Sequence, residues 1–146
     1  MPKTFMTLVF TCGLLLSLVA QGGTAPFDSV PEIRRFTDEI MTKVGAGNVE
    51  EAIEQLRPYA GVPAAEYDLF VVQSRNFMTN SRARFGKHTG MEFISQDQAG
   101  DSILRLVYIS KFERYALRWL FYFYKTDQGW TLSTFKYDDN LPALFP

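Results

Sequence analysis

Two side chains on which many catalytic and metal sites depend are almost absent from this sequence. It contains a single cysteine, Cys12, and a single histidine, His88. One cysteine cannot form a disulfide within the chain, and a zinc site with one histidine would have to rely on carboxylates, which is unusual for that metal. We therefore predict no disulfide, no metal and no cofactor.

An excess of positive charge is also missing. The chain contains 15 lysines and arginines against 16 aspartates and glutamates, which leaves a formal net charge of -1. A protein that binds the phosphate backbone needs a basic surface to neutralise it. The composition therefore argues against a nucleic-acid partner.

The one local departure from this charge balance is a basic segment, residues 69–91. It holds Arg75, Arg82, Arg84 and Lys87 and no acidic residue. Such a segment can receive an anionic ligand or a lipid headgroup. We favour the simpler interpretation, which is a solvated loop that follows the third helix.

No arrangement of side chains in the sequence identifies a reaction. His88 lies in a polar, glycine-containing stretch, residues 82–90, which we interpret as an exposed loop, and the sequence identifies no partner that would orient it as a general base. Turn chemistry explains the aspartates beside the predicted turns. These are Asp97, Asp101, Asp138 and Asp139. We predict no catalytic residue.

A long uncharged run stands near the N-terminus. Residues 5–20 contain no charged side chain, a lysine precedes them, and small residues follow. These are the parts of a secretory signal peptide. At about 1.5 Å per residue the run spans roughly 24 Å, less than the roughly 30 Å core of a membrane. We predict a signal peptide at residues 1–25, cleaved after Gly22 or Ala25, and a single secreted or periplasmic domain at residues 26–146. An uncleaved membrane anchor is the alternative.

After this leader, apolar residues recur at helical spacing. Ser29 can cap a first helix, Asn48 can cap a second, and Pro63 can open a third. The helical spacing continues to about Asn80. This spacing therefore predicts three helices in the N-terminal half of the domain.

In the C-terminal half, the apolar residues alternate with a period of two, and β-branched and aromatic residues are frequent. Four strands in meander order are expected at residues 91–96, 102–114, 115–125 and 130–137. The apolar phase of the last strand changes near Ser133 and Thr134, which predicts a β-bulge. The expected fold is α+β, with three N-terminal helices packed on a curved four-stranded antiparallel meander sheet.

Both faces of the predicted sheet are largely apolar. The face expected to pack on the helices holds Leu104, Leu106, Tyr108, Phe112, Leu117, Trp119, Phe121, Phe123, Trp130 and Leu132. The outer face holds the residues of a predicted interface: Arg105, Val107, Ile109, Arg118, Leu120, Tyr122 and Tyr124. A sheet with helices on one side normally shows polar residues on the other, so we expect this face to be covered. A second copy of the chain is our first candidate, and the C-terminal segment, residues 140–145, is the alternative.

Three helices followed by a curved meander resemble the nuclear transport factor two-like superfamily, an α+β cone whose helices fill the hollow of a bent sheet. Residues 47–52 (GNVEEA) are similar to the start of the second helix in many exported members, and residues 129–135 (GWTLSTF) to the final strand. The resemblance implies this fold and a pocket inside the cone. The residues expected to line that pocket are Tyr67, Tyr108, Trp119 and Phe121.

That superfamily includes ketosteroid isomerases, small dehydratases and polyketide cyclases, together with exported domains and homodimers. Its enzymes place tyrosine, aspartate or histidine inside the cone. The inward positions predicted here hold no carboxylate and no histidine, so we carry over no catalytic residue. We predict an exported, non-catalytic domain that binds a small apolar ligand or a protein partner, such as an envelope protein, and forms a homodimer through its sheet. The alternative is a small isomerase- or dehydratase-type enzyme whose polar groups come from Tyr67 or the region of His88.

Overall fold

Helices occupy the first half of the domain and strands the second, in a computed structural model that describes residues 26–146. The helices are α1 (Val30–Gly45), α2 (Val49–Leu56) and α3 (Ala64–Phe85), and the strands are β1 (His88–Ala99), β2 (Ile103–Phe112), β3 (Ala116–Thr126) and β4 (Gly129–Asp138). Short 3-10 helices, Arg57–Tyr59 and Leu141–Leu144, follow α2 and β4. The predicted signal peptide lies outside the described residues. Within them, no helix has the length and apolarity needed to cross a membrane.

The four strands form one sheet in chain order, and each pairs antiparallel with the next. The sheet is curved and does not close into a barrel. The helices precede it in the chain and pack on one of its faces. The predicted α+β fold, with its three helices and four-stranded meander, is confirmed.

Ser29 caps α1 as predicted. Its Oγ accepts a hydrogen bond of 3.3 Å from the Glu32 N–H, and the Glu32 carboxylate accepts one of 2.8 Å from the Asp28 N–H. These two bonds fix the direction in which the chain enters the helix. Asn48 stands at the N-terminus of α2 but makes no capping bond with its side chain. The predicted position of α2 is therefore right, and its predicted side-chain cap is wrong.

The bulge predicted in the last strand is confirmed. Tyr122 pairs with Thr134, and Phe123 pairs with Leu132, which leaves Ser133 without a partner on β3. One extra residue on one strand bends that strand and increases its twist. The bulge therefore contributes to the curvature that wraps the sheet around the helices.

The basic segment is a helix and the start of a strand, so its interpretation as a solvated loop is wrong. Arg75, Arg82 and Arg84 lie on α3, and His88 is the first residue of β1. The end of the buried stripe of α3 explains the error, because Ser81 and the neighbouring arginines weaken the apolar pattern beyond Asn80. This stripe comprises Tyr67, Val71, Ser74, Met78, Ser81 and Phe85.

The core lies between the helices and the inner face of the sheet. Every residue that the alternation predicts on this inner face is buried. The helices contribute the side chains that complete this layer, among them Ile33, Ile40, Val44 and Leu56, which are all fully buried. The inner-face prediction is confirmed, and the aromatic surplus of the sequence is largely used in this core.

Phe27 joins the beginning of the domain to β4. Its N–H and C=O exchange hydrogen bonds of 2.8 Å with Trp130. Its ring stacks on Tyr59 and meets Phe123 edge to face, with centroids 5.2 Å and 5.7 Å apart. Gly129 permits this approach, since its φ is +127° and a Cβ there would lie 2.7 Å from the carbonyl oxygen of Phe27.

Candidate functional site

The four residues predicted to line an internal pocket all lie in the core. Tyr108, Trp119 and Phe121 are fully buried on the inner face, and Tyr67 is buried on α3. The rings of Tyr108 and Phe121 meet edge to face at 5.9 Å, and those of Trp119 and Phe121 stack at 6.4 Å. The structure thus brings three of the four residues into one aromatic cluster, while Tyr67 contacts α2.

The hydroxyl of Tyr108 is held in a polar network at the surface of the core. It donates a hydrogen bond of 2.7 Å to Asp38, and it lies 2.7 Å from the hydroxyl of Thr37. Arg34 donates to the same carboxylate at 2.9 Å and places its guanidinium 3.3 Å from the ring centroid of Phe93. Burial is the main cause that raises the pKa of Tyr108 above its ordinary value. The network keeps this tyrosine protonated and ties α1 to β2.

The hydroxyl of Tyr67 also has a structural partner. It donates a hydrogen bond to the backbone carbonyl of Ile53 on α2. Burial, followed by the nearby charge of Glu54, raises the pKa of Tyr67. The guanidinium of Arg57 lies 4.6 Å from the ring centroid. Tyr67 therefore fastens α3 to α2, and its proton is engaged in that contact.

The predicted interface residues share the outer face of the sheet. Val107 and Leu120 pair across β2 and β3 and are buried by their neighbours. Ile103 and Tyr124 pair at the end of the same two strands and remain 39% and 48% exposed. The outer face is therefore closely packed at its middle and apolar and open at one end.

Both arginines of this face pair with carboxylates of their own chain. Arg118 holds Asp138 with two hydrogen bonds of 3.0 Å and 2.6 Å, and its side chain is only 12% exposed. Arg105 donates to Asp97 at 3.0 Å with its side chain 45% exposed, and this bond lowers the pKa of Asp97. The explanation by turn chemistry is therefore wrong for Asp97, which lies on β1 and neutralises Arg105. Asp138 is the last residue of β4; it neutralises Arg118, and its Oδ1 also accepts a hydrogen bond of 3.0 Å from the Asn140 N–H, as turn chemistry predicts.

The C-terminal segment lies near β3 and leaves the open apolar end of the outer face exposed. The 3-10 helix Leu141–Leu144 packs near β3, and the hydroxyl of Tyr115 donates to the backbone carbonyl of Asp139 at 3.2 Å. Ile103 and Tyr124 remain exposed in its presence. The tail is therefore not the cover of the open apolar end.

A cavity of about 140 Å³ lies between α2, α3 and the first residue of β1. Its apolar lining consists of Val49, Ile53, Val71 and Met78. Its polar lining consists of Glu50, Ser74, Arg75, Thr79, Arg82 and His88, with Gly47 at its edge. One cavity thus combines apolar walls with two arginines and the only histidine of the chain.

His88 lies in this wall, so the prediction of an exposed loop histidine is wrong. Its ring packs on Phe112 with centroids 4.2 Å apart, and its Nε2 atom is buried without a hydrogen-bond partner among residues 26–146. Burial lowers the pKa of His88, and the positive charge of Arg82 lowers it further. The imidazole is therefore neutral at pH 7.

The basic segment of the sequence indicates the charges of this cavity but not the cavity itself. Arg75 and Arg82 are seven residues apart in the chain, which is about two helical turns, so both lie on one face if the helix continues past Asn80. Recognition of α3 as far as Phe85 was the missing step. The contribution of Glu50 from α2 requires tertiary packing and has no local signal.

A second depression lies along the outside of α1 and is open to solvent. Its volume is about 700 Å³, and the charged side chains that line it include both acidic and basic residues. These residues are Arg34, Arg35, Asp38, Glu39 and Lys43. Neither this depression nor the cavity at His88 is lined by the four residues predicted for an internal pocket.

Neither a metal cluster nor a known relative indicates an activity. Residues 26–146 contain no group of three or more His, Cys, Asp or Glu side chains placed to bind a metal ion. No protein-family model, no curated protein and no solved structure matches the chain. The resemblance to the nuclear transport factor two-like superfamily stays a prediction.

Proposed function

We propose that the chain is an exported, non-catalytic binding domain whose partner is a protein, and that a second copy of the chain binds the outer face of its sheet. The exposed apolar pair Ile103 and Tyr124 is the observation that carries this proposal. Along β2 and β3 this pair is followed by Arg105 with Tyr122, and then by the packed pair Val107 and Leu120. An exposed apolar patch that is rimmed by polar residues is typical of a protein interface.

The ion pairs of this face favour a symmetric contact between two copies. In a two-fold interface each residue meets the same surface on the partner, so unpaired charges of one sign would repel each other. Arg105 and Arg118 are already neutralised by Asp97 and Asp138. A strongly charged partner would gain little from such a face, whereas a second copy meets no like-charge repulsion from these arginines.

The interior supports the non-catalytic part of the proposal. Tyr67 and Tyr108 both donate their hydroxyl protons to acceptors of the protein, and Trp119 and Phe121 are enclosed by their own neighbours. The enzymatic alternative requires polar groups that converge on one point. The lining of the cavity that holds His88 does not include Tyr67.

Sedimentation equilibrium of the purified exported protein tests the dimer. We expect a dimer in the parent and a monomer in Tyr124→Glu, because two carboxylates would be buried without partners in the interface. Leu69→Glu is the matched control, since Leu69 is an exposed apolar residue on α3 and not on the sheet, and at 58% it is somewhat more exposed than Tyr124. A parent that stays monomeric at high micromolar concentration, or a control that dissociates like Tyr124→Glu, would overturn the proposal.

A further inference from the structure

Four exposed cations lie together where α3 ends. Arg82 and Arg84 belong to its last turn, Lys87 follows the helix, and Arg114 lies in the turn between β2 and β3. Hydrogen bonds hold this turn against the helix, since the Arg114 N–H donates to the Phe85 carbonyl at 2.9 Å and the Arg114 guanidinium donates to the Arg84 carbonyl at 3.2 Å. We call these four cations the basic end of the domain.

No carboxylate neutralises these four charges. Their side chains make no ion pair within residues 26–146. Glu113 is the acidic residue of the adjoining turn, and its Oε2 accepts a hydrogen bond of 3.2 Å from the backbone N–H of Lys87 rather than from a cationic side chain. The dipole of α3 explains cations in its last turn, but Lys87 lies beyond the helix and gains less from it. The positive charge of this end is therefore available to a partner.

The rest of the domain has the opposite charge. Residues 26–146 hold 14 lysines and arginines and 16 aspartates and glutamates. The basic end and Glu113 together have a net charge of +3, which leaves a net charge of -5 on all the other residues. An anionic surface would therefore attract one end of the molecule and repel the remainder, which orients the protein as it approaches.

An exposed aromatic ring stands beside the basic end. Tyr115 lies in the turn between β2 and β3 and is 39% exposed. Its ring packs on Phe85 with centroids 4.9 Å apart, and its hydroxyl donates to the backbone carbonyl of Asp139. Phe77, which is 38% exposed, lies about two helical turns before Arg84 on the same side of α3. Amphipathic rings such as tyrosine are enriched where a membrane meets water.

The four cations are spread over a surface and are not gathered in a pocket. Neither of the two depressions described above is lined by more than one of them. A small anion needs donors that converge on one point, whereas the surface of a bilayer attracts cations that lie side by side. We infer that the basic end binds the surface of an anionic lipid bilayer, with Tyr115 among the headgroups.

The basic end is at the opposite end of the sheet from the proposed dimer contact. Ile103 and Tyr124 pair at one end of β2 and β3, and the turn at residues 113–115 joins the other ends of these strands. At about 3.3 Å per residue, the ten residues of β2 separate the two surfaces by roughly 30 Å. The two proposals therefore concern different residues, and either can fail while the other holds.

Cosedimentation with lipid vesicles tests the inference. The probe is a vesicle of about one-third phosphatidylglycerol in phosphatidylcholine, and a vesicle of phosphatidylcholine alone is its neutral counterpart. We expect the purified exported protein to bind the anionic vesicles about 100-fold more tightly at low salt, because each net positive charge near such a surface contributes about fivefold. Binding should be lost at about 0.5 M salt, where these charges are screened.

The double variant Arg84→Gln, Lys87→Gln removes two charges from the basic end. It keeps the hydrogen bonds described above, because these use the backbone of both residues. We expect it to bind the anionic vesicles about 25-fold more weakly. Arg35→Gln, Lys125→Gln is the matched control, since both side chains are exposed and lie outside the basic end, and it should change binding less than about twofold. The thermal midpoint of each variant shows that it is folded.

Four results would overturn this inference. The first two are no binding to the anionic vesicles and equal binding to the neutral ones, since the latter would indicate an apolar anchor. The third is an equal loss in the control variant. The fourth is equal or tighter binding of soluble poly-glutamate at the same concentration of charge, which would identify an acidic protein as the partner. A protein that binds the anionic vesicles as a monomer would support the inference while it refutes the dimer.

Discussion

The two faces of the sheet at β2 and β3 have different roles, because the inner face forms the core and the outer face is partly exposed to solvent. On the inner face, Tyr108, Trp119 and Phe121 are fully buried against each other and the helices. On the outer face, exposure rises from the packed Leu120 to Tyr124 at the open end. Since side chains alternate along a strand, neighbouring residues serve the core and the surface in turn. Substitutions one residue apart should therefore affect either stability or association.

The largest effect is expected for Trp119→Ala. Loss of this ring leaves a cavity in the core, and such truncations cost about 3–5 kcal/mol of unfolding free energy. Tyr124→Ala on the outer face of the same strand should change it by about 0.5 kcal/mol or less, because it is a surface substitution. Urea denaturation compares the two variants. If Trp119→Ala unfolded at the same urea concentration as the parent, packing on the inner face would not be what stabilises the fold.

A smaller effect is expected when only a hydroxyl is removed. Tyr108→Phe removes the buried group that contacts Thr37 and Asp38, and should cost about 1–2 kcal/mol. Tyr115→Phe is the matched control, because its hydroxyl makes one bond of 3.2 Å at an exposed site. Thermal denaturation should show a clear decrease for the first variant only. Equal decreases would indicate that burial of the hydroxyl is not what matters.

The smallest effects should distinguish the two ion pairs of the outer face. Arg118→Gln breaks a doubly hydrogen-bonded pair that is largely shielded from water, and should cost about 1 kcal/mol. Arg105→Gln breaks an exposed single bond, and its denaturation midpoint should equal that of the parent in high salt. If Arg105→Gln were the more damaging substitution, the open end of the face would be the part that stabilises the sheet.

The fold could be predicted because its signals are local. The Ser29 cap, the period of two in β2 and β3, and the phase change at Ser133 depend on neighbours in the chain, and the structure contains all three. The end of α3 beyond Asn80 is not predicted because Ser81, Arg82 and Arg84 interrupt the apolar spacing there. The start of β1 was missed because its register shifts beside Gly90, so alternation fails there.

The candidate site was less predictable because its contacts join distant parts of the chain. Glu50 and Arg75 are brought together by the packing of α2 on α3, which no local pattern encodes. The partner of Arg105 was within reach of sequence reasoning. Asp97 pairs directly with Arg105 in the register of β1 and β2, but a strand that ends at Gln96 assigns Asp97 to a turn instead.

The bridge between Phe27 and Trp130 has a consequence for the order in which the protein folds. Synthesis proceeds from the N-terminus, so Phe27 and the helices are made before Trp130, which lies about 100 residues further along the chain. The apolar face of α1, with Ile33 and Ile40, packs on β1 and β2, which follow the helices in the chain. Contacts between distant parts of a chain also form slowly, because a long loop must close first. The bridge that closes the domain therefore forms only after β4 has been synthesised, although the helices can pack on β1 and β2 before that.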